Sequence, residues 1–117
     1  MIKSITYTVD EYPLLTREIL LSLRRKVDAM KTTREDCEFI DHYMTSVGEE
    51  NLLIECLQDE FVYSFGEIEE ILQAPSRRIN ILEYNYATGS KSYAVTGILL
   101  GCLDILHIHL RRGEKIY

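Results

Sequence analysis

The run YAVTGILLGCLDILHIHL, residues 93–110, constrains this chain more than any other feature, because whatever fold forms must cover it. Its eighteen residues carry one formal charge, Asp104, and approach the length of a short membrane-spanning helix. Asp104, His107 and His109 would all then lie in hydrocarbon, at a cost of several kcal/mol for the aspartate. A segment of a soluble protein is therefore expected, with no membrane association. Gly97 and Gly101, four residues apart, each subtract about 1 kcal/mol from a helical reading. LDILHIHLRR instead alternates Leu106, Ile108 and Leu110 with His107, His109 and Arg111, the period of a half-buried strand. Upstream, INILEYNY alternates Leu82, Tyr84 and Tyr86 with Glu83 and Asn85, ATGS supplies a turn, and KSYAVTGILL follows as a strand. These three runs form an antiparallel meander.

The remainder mixes periods. In IKSITYTV, Ile5, Tyr7 and Val9 share one face and Ser4, Thr6 and Thr8 the other, which predicts a strand. Over 14–31, Leu15, Ile19, Leu23, Val27 and Met30 recur at helical spacing, with Pro13 suited to a first turn. Thr32 followed by Glu35 has the form of a capping box. It opens a second helix that turns Ile40, Tyr43 (or Met44) and Val47 inward and stops at Gly48. LLIECL and FVYSF read as a hairpin around Gln58-Asp59-Glu60, in preference to a helix with Leu53, Cys56, Leu57, Glu60 and Phe61 on one face. GEIEEILQA is a short helix ended by Pro75. The expected architecture is α+β in a single domain, 1–117: an N-terminal strand and two to three helices packed on a mainly antiparallel sheet that ends in the meander.

Charge is distributed unevenly. The 42 residues from Glu35 to Ser76 hold twelve carboxylates and no lysine or arginine. All thirteen Lys and Arg and the other seven carboxylates lie outside that block, so the flanks sum to +6 around a −12 centre. Like charges a few Å apart repel by about 1 kcal/mol even in bulk water. A fold tolerates them when each is solvated or when a cationic partner neutralises them. Such a field draws basic proteins and repels nucleic acid, which is itself polyanionic. Phe61, Tyr63 and Phe65 are interleaved with the carboxylates, and interfaces combine aromatic anchors with a charged rim.

The function expected on this ground is a stoichiometric protein-binding inhibitor of the immunity type, neutralising a basic toxin such as a nuclease. Its surface would comprise Glu49, Glu50, Glu55, Asp59, Glu60, Glu67, Glu69 and Glu70, with Tyr63 as an anchor. No cofactor is required, and no direct contact with nucleic acid is expected. The alternative is a small enzyme, metal-dependent or acting on phosphoesters, centred on His107 and His109. On a strand these two point to the same side, roughly 6.5–7 Å apart at the backbone. A metal would need a third ligand from Asp104, Cys102 or His42, and neither an HExxH nor a paired CxxC motif supports one. A third possibility is a homo-oligomer paired through the edge of the meander. Cys37 and Cys56 lie within the acidic block, which raises a thiol pKa and disfavours nucleophilic use. Three widely spaced cysteines form no disulfide framework, and the N-terminus lacks the pattern of a signal peptide, so a cytoplasmic location is expected.

Overall fold

Residues 92–111 form one uninterrupted helix where strands are expected. The computed structural model describes residues 12–117, and among them there are six helices and no strand, which overturns the α+β expectation. The strand expected at 2–9 lies outside the described residues. The helices are α1 (Arg17–Asp28), α2 (Arg34–Ser46), α3 (Glu50–Phe61), α4 (Phe65–Gln73), α5 (Pro75–Thr88) and α6 (Ser92–Arg111).

The spacing of buried residues in α6 explains the correction. Ser92, Val95, Ile98, Leu99, Cys102, Leu103 and Leu106 are buried and recur every three or four residues. The two-residue alternation at 106–110 is incidental, since Leu106 is buried while Ile108 is 49% exposed. Gly97 and Gly101 are exposed, and a Cβ at either would meet nothing within 4 Å. Their low helix propensity is outweighed by burial on the opposite side. Gly97→Ala and Gly101→Ala are each expected to raise stability by about 0.5–1 kcal/mol, measured by chemical denaturation.

The other sheet assignments fail for related reasons. In α5, Arg78, Ile79 and Leu82 are the buried residues, while Tyr84, which strand alternation pairs with Leu82, is 68% exposed. Pro75 sits at the first turn of this helix, where its missing N–H costs nothing. ATGS does mark a turn, with Gly89 in the left-handed region, but it joins two helices. The first arm and turn of the expected hairpin lie in α3, whose Leu53, Ile54 and Leu57 are buried at helical spacing, and the second arm runs from Phe61 through the link 62–64 into α4.

Where helices are expected, they form with shifted ends. Thr16 caps α1, so the helix begins four residues after Pro13. The capping box of α2 is Thr33 with Asp36, one residue beyond Thr32 and Glu35. Ile40, Tyr43 and Met44 are fully buried in α2, and Gly48 follows it at φ +76°. Ser64 and Glu67 form a second capping box at the start of α4, before the stop at Pro75.

Helix α6 packs against α1, α2, α3 and α5, while α4 bridges α3 and α5. By length and composition α6 could cross a membrane. Here it is the central helix of the fold, with Val95, Leu99, Leu103 and Leu106 fully buried. Side-chain and backbone contacts fix its neighbours' directions. Leu15 N donates to Ile116 O at 2.7 Å, and Arg24 Nη2 lies 2.6 Å from Asp104 Oδ1, so α1 runs antiparallel to α6. Glu49 lies near His109 and Phe61 near Lys91, so α3 is antiparallel to it as well. Ile116 is fully buried beyond the end of α6, which ties residues 112–117 back onto the helices.

Candidate functional site

The fold divides the acidic block into two populations. Asp41 and Asp36 are buried. Both Nε and Nη2 of Arg78 donate to the Asp41 carboxylate, the second at 3.2 Å, and Nη1 donates to Ile71 O at 2.9 Å. Burial pushes the Asp41 carboxyl above its ordinary value, and the guanidinium opposes the shift. Asp36 accepts from Thr33 N at 2.9 Å and from Lys26 Nζ at 3.0 Å. Glu38 pairs with Arg34 at 3.3 Å, and Glu49 lies 4.0 Å from His109. Glu67 accepts from Ser64 N at 2.8 Å, and that hydrogen bond holds its carboxyl below the ordinary value.

The second population faces outward. Glu35, Glu55, Asp59, Glu60, Glu69 and Glu70 are exposed and form no ion pair among the described residues. Apart from Glu35, they sit on the second half of α3 and on α4, joined by the link 62–64. Glu55 and Asp59, four apart, share one side of α3. Glu67, in the first turn of α4, is engaged by Ser64 and belongs to the partnered group. Glu49 and Glu50, expected in the same site, lie at the start of α3, about 8 Å along its axis from Glu55 and about 15 Å from Glu60. Glu49 lies beside His109, while Glu50 has one carboxylate oxygen buried without a hydrogen-bond partner among the described residues and acts on the buried Asp41, so the structure does not bring all eight carboxylates together.

Between the two helices the chain does something costly. Val62 has φ +50°, a left-handed conformation that a β-branched residue rarely adopts, and its side chain is 85% exposed. Phe65 follows, 78% exposed. Val62→Gly is expected to raise stability by about 0.5–1 kcal/mol, because relief of left-handed strain exceeds the added backbone entropy. Thermal or chemical denaturation measures it.

Behind this link lies a cavity of about 390 Å³, lined by Phe61, Tyr63, Arg77, Asn80, Ile81, Tyr84 and Asn85. Tyr63, the expected anchor, is half-buried in its wall, with its ring centroid 6.3 Å from that of Phe61. Burial raises the Tyr63 hydroxyl pKa, while the nearby Arg77 lowers it. The shared face expected for Phe61, Tyr63 and Phe65 on a strand is broken, since Phe65 points into solvent. Lys91 Nζ stands 5.9 Å from the centre of the Phe61 ring. Arg77, Asn80, Ile81, Tyr84 and Asn85 carry helical spacing in the sequence, a signal that the strand reading of 79–86 conceals.

The histidine constellation does not survive the change from strand to helix. Successive helical residues turn by about 100°, so His107 and His109 point some 200° apart. His107 is exposed, while the His109 ring lies 2.7 Å from Glu114 Oε2. The candidate third ligands are occupied elsewhere. Asp104 pairs with Arg24, Cys102 is buried, and His42 stacks on Tyr12 at 4.0 Å between ring centres. Among the described residues, no cluster of three His, Cys, Asp or Glu is placed to hold a metal. Burial pushes the Cys37 and Cys102 thiols up to about 12. Burial also raises the Cys56 thiol, with Asp59, Glu55 and Glu60 adding to the shift. None of the three is an activated nucleophile.

No protein-family model matches this chain, and comparisons with curated proteins and with solved structures find no match either.

Proposed function

We propose that the chain is a stoichiometric binding protein that occupies a basic protein partner through the surface of α3 and α4. An immunity-type inhibitor of a cationic toxin, such as a nuclease, is the form of activity this chemistry suits best. One observation carries the reading. Asp36, Glu38, Asp41 and Glu67 each find a partner, whereas Glu55, Asp59, Glu60, Glu69 and Glu70 are exposed, form no ion pair among the described residues, and sit on the two helices that flank the exposed Val62 and Phe65. Unneutralised charge beside uncovered apolar surface is the arrangement of an interface before its partner arrives. No specific observation favours the alternative centred on His107 and His109. Three free cysteines suit a reducing cytoplasm.

The test is capture of partners from a lysate of the native host at low salt, with elution by a salt gradient. A basic protein retained at one-to-one stoichiometry is the expected result. Combined Glu55→Lys, Asp59→Lys and Glu69→Lys substitutions should slow its association by about 10- to 1000-fold. His107→Ala should leave it unchanged. Partner binding that ignores the charge reversal would contradict the proposal, as would no basic partner at any salt.

A further inference from the structure

The groove behind the link 62–64 differs in charge from the rest of the molecule. The chain carries a net charge of −6, yet no carboxylate lines this cavity of about 390 Å³, and its one charged lining residue is Arg77. Lys91, outside the lining, brings a second cation to the wall, 5.9 Å from the centre of the Phe61 ring. Neither cation forms an ion pair among the described residues. The Arg77 guanidinium is close enough to act on Tyr63 and Glu67, but the Glu67 carboxylate is held by Ser64 N at 2.8 Å.

The neutral lining is oriented from behind. Asn80 Oδ1 accepts from Arg34 Nη1 at 2.6 Å, which leaves the Nδ2 hydrogens of Asn80 to donate. Asn85 is the reverse, because its Nδ2 donates to Ile81 O at 2.7 Å and its Oδ1 is left to accept. Arg77, Asn80 and Tyr84 follow one another at three- and four-residue spacing, so they share a side of α5 over about 10 Å. The rings of Phe61, Tyr63 and Tyr84 supply flat apolar surface.

We infer that this groove binds a small planar anion, an aromatic or heteroaromatic ring that carries a carboxylate or a phosphate. The anionic group takes the Arg77 guanidinium, whose planar fork matches either oxyanion. The ring lies against the aromatic side chains, and Asn80 and Asn85 offer one donor and one acceptor to its polar edge. A concave site of aromatic walls with a few convergent polar groups is the form that small-ligand sites take. An extended acidic peptide suits it less well, since about 10 Å is the span of only about three extended residues. The inference goes beyond the acidic surface of α3 and α4 and does not depend on it, because that surface takes a cation and the groove an anion.

Two matched sets of probes test it by titration into ¹⁵N-labelled full-length protein. One is indole-3-acetate with indole-3-acetamide and acetate, and the other is AMP with adenosine and inorganic phosphate. At least one of the two planar anions should bind one-to-one, with shift changes concentrated in residues 61–63 and 77–85. The tighter of them identifies carboxylate or phosphate as the group taken. Its neutral counterpart and its ring-free anion should each bind at least about tenfold more weakly, the least that a charge-assisted hydrogen bond contributes. Arg77→Gln, at an exposed position, should weaken the planar anion by at least about tenfold and leave the neutral counterpart unchanged. Tyr84→Ala, also at an exposed position, should weaken both. Equal affinity for a planar anion and its neutral counterpart would overturn the inference, as would unchanged affinity in Arg77→Gln or shift changes outside the groove. Failure of both planar anions to bind at millimolar concentration would overturn it too. So would an acidic, tyrosine-containing hexapeptide that displaced them both, which would assign the groove to a protein segment.

Discussion

Replacing Arg78 by alanine is expected to destabilise the fold by about 3–5 kcal/mol, and Asp41→Ala by a similar amount. Arg78 and Asp41 are 2% and 3% exposed, and each is the other's charged partner. Removing one leaves an uncompensated charge in the interior. Arg78→Ala also leaves Ile71 O without its donor, which loosens α4 from α5. The pair as a whole is a different matter. Burial holds the Asp41 carboxyl above its ordinary value even beside the guanidinium, and the desolvation of two charges generally offsets most of what their attraction returns. The double substitution Asp41→Leu with Arg78→Met should therefore fall within about 1–2 kcal/mol of the native protein, or exceed it. Urea denaturation of the two single variants and the double variant forms a cycle that measures this coupling. Single variants that lose less than 1 kcal/mol would show that water reaches the pair.

Leu103→Ala is expected to cost about 2–5 kcal/mol, through lost transfer energy and the cavity left behind. Leu103 is fully buried on the side of α6 that faces the core. Gly101, two residues away, faces solvent, and there a larger side chain is expected to stabilise. Opposite signs two residues apart are what a helix produces. On a strand, residues 101 and 103 share a face, and the two changes would act in the same environment. Denaturation midpoints of the two variants therefore test the largest departure of the fold from its expected form.

That departure had identifiable causes in particular residues. The spacing of Val95, Leu99, Cys102 and Leu106 was present in the sequence. It was masked by the local alternation from Leu106 to Leu110 and by two glycines unfavourable to helices. The glycines are tolerated because they lie on the exposed side of a helix whose other side packs against four neighbours. FVYSF was rich in strand formers and both runs were short, yet LLIECL lies in α3 with Leu53, Ile54 and Leu57 buried at helical spacing, and FVYSF is divided among the end of α3, the link 62–64 and the start of α4. Helix α2 was legible because Ile40, Tyr43 and Met44 followed one period without interruption.

The site was legible in its chemistry more than in its extent. A run of twelve carboxylates is a linear feature, and folding drew Asp36 and Asp41 inside and left Glu49 and Glu50 at the start of α3. Arg78 belonged, in sequence, to a basic flank, and only the packing of α2 on α5 brings it to Asp41. Val62 carried no sequence signal, since its importance lies in a backbone angle and an absence of cover.

The most direct test of the central claim is the association rate with the captured basic partner, followed as ionic strength rises. Steering by the exposed carboxylates of α3 and α4 predicts a fall of at least about tenfold as the salt approaches 1 M, where the Debye length is about 3 Å. The charge-reversed variant should begin low and change little. A native rate that stays flat across the same range would contradict the account.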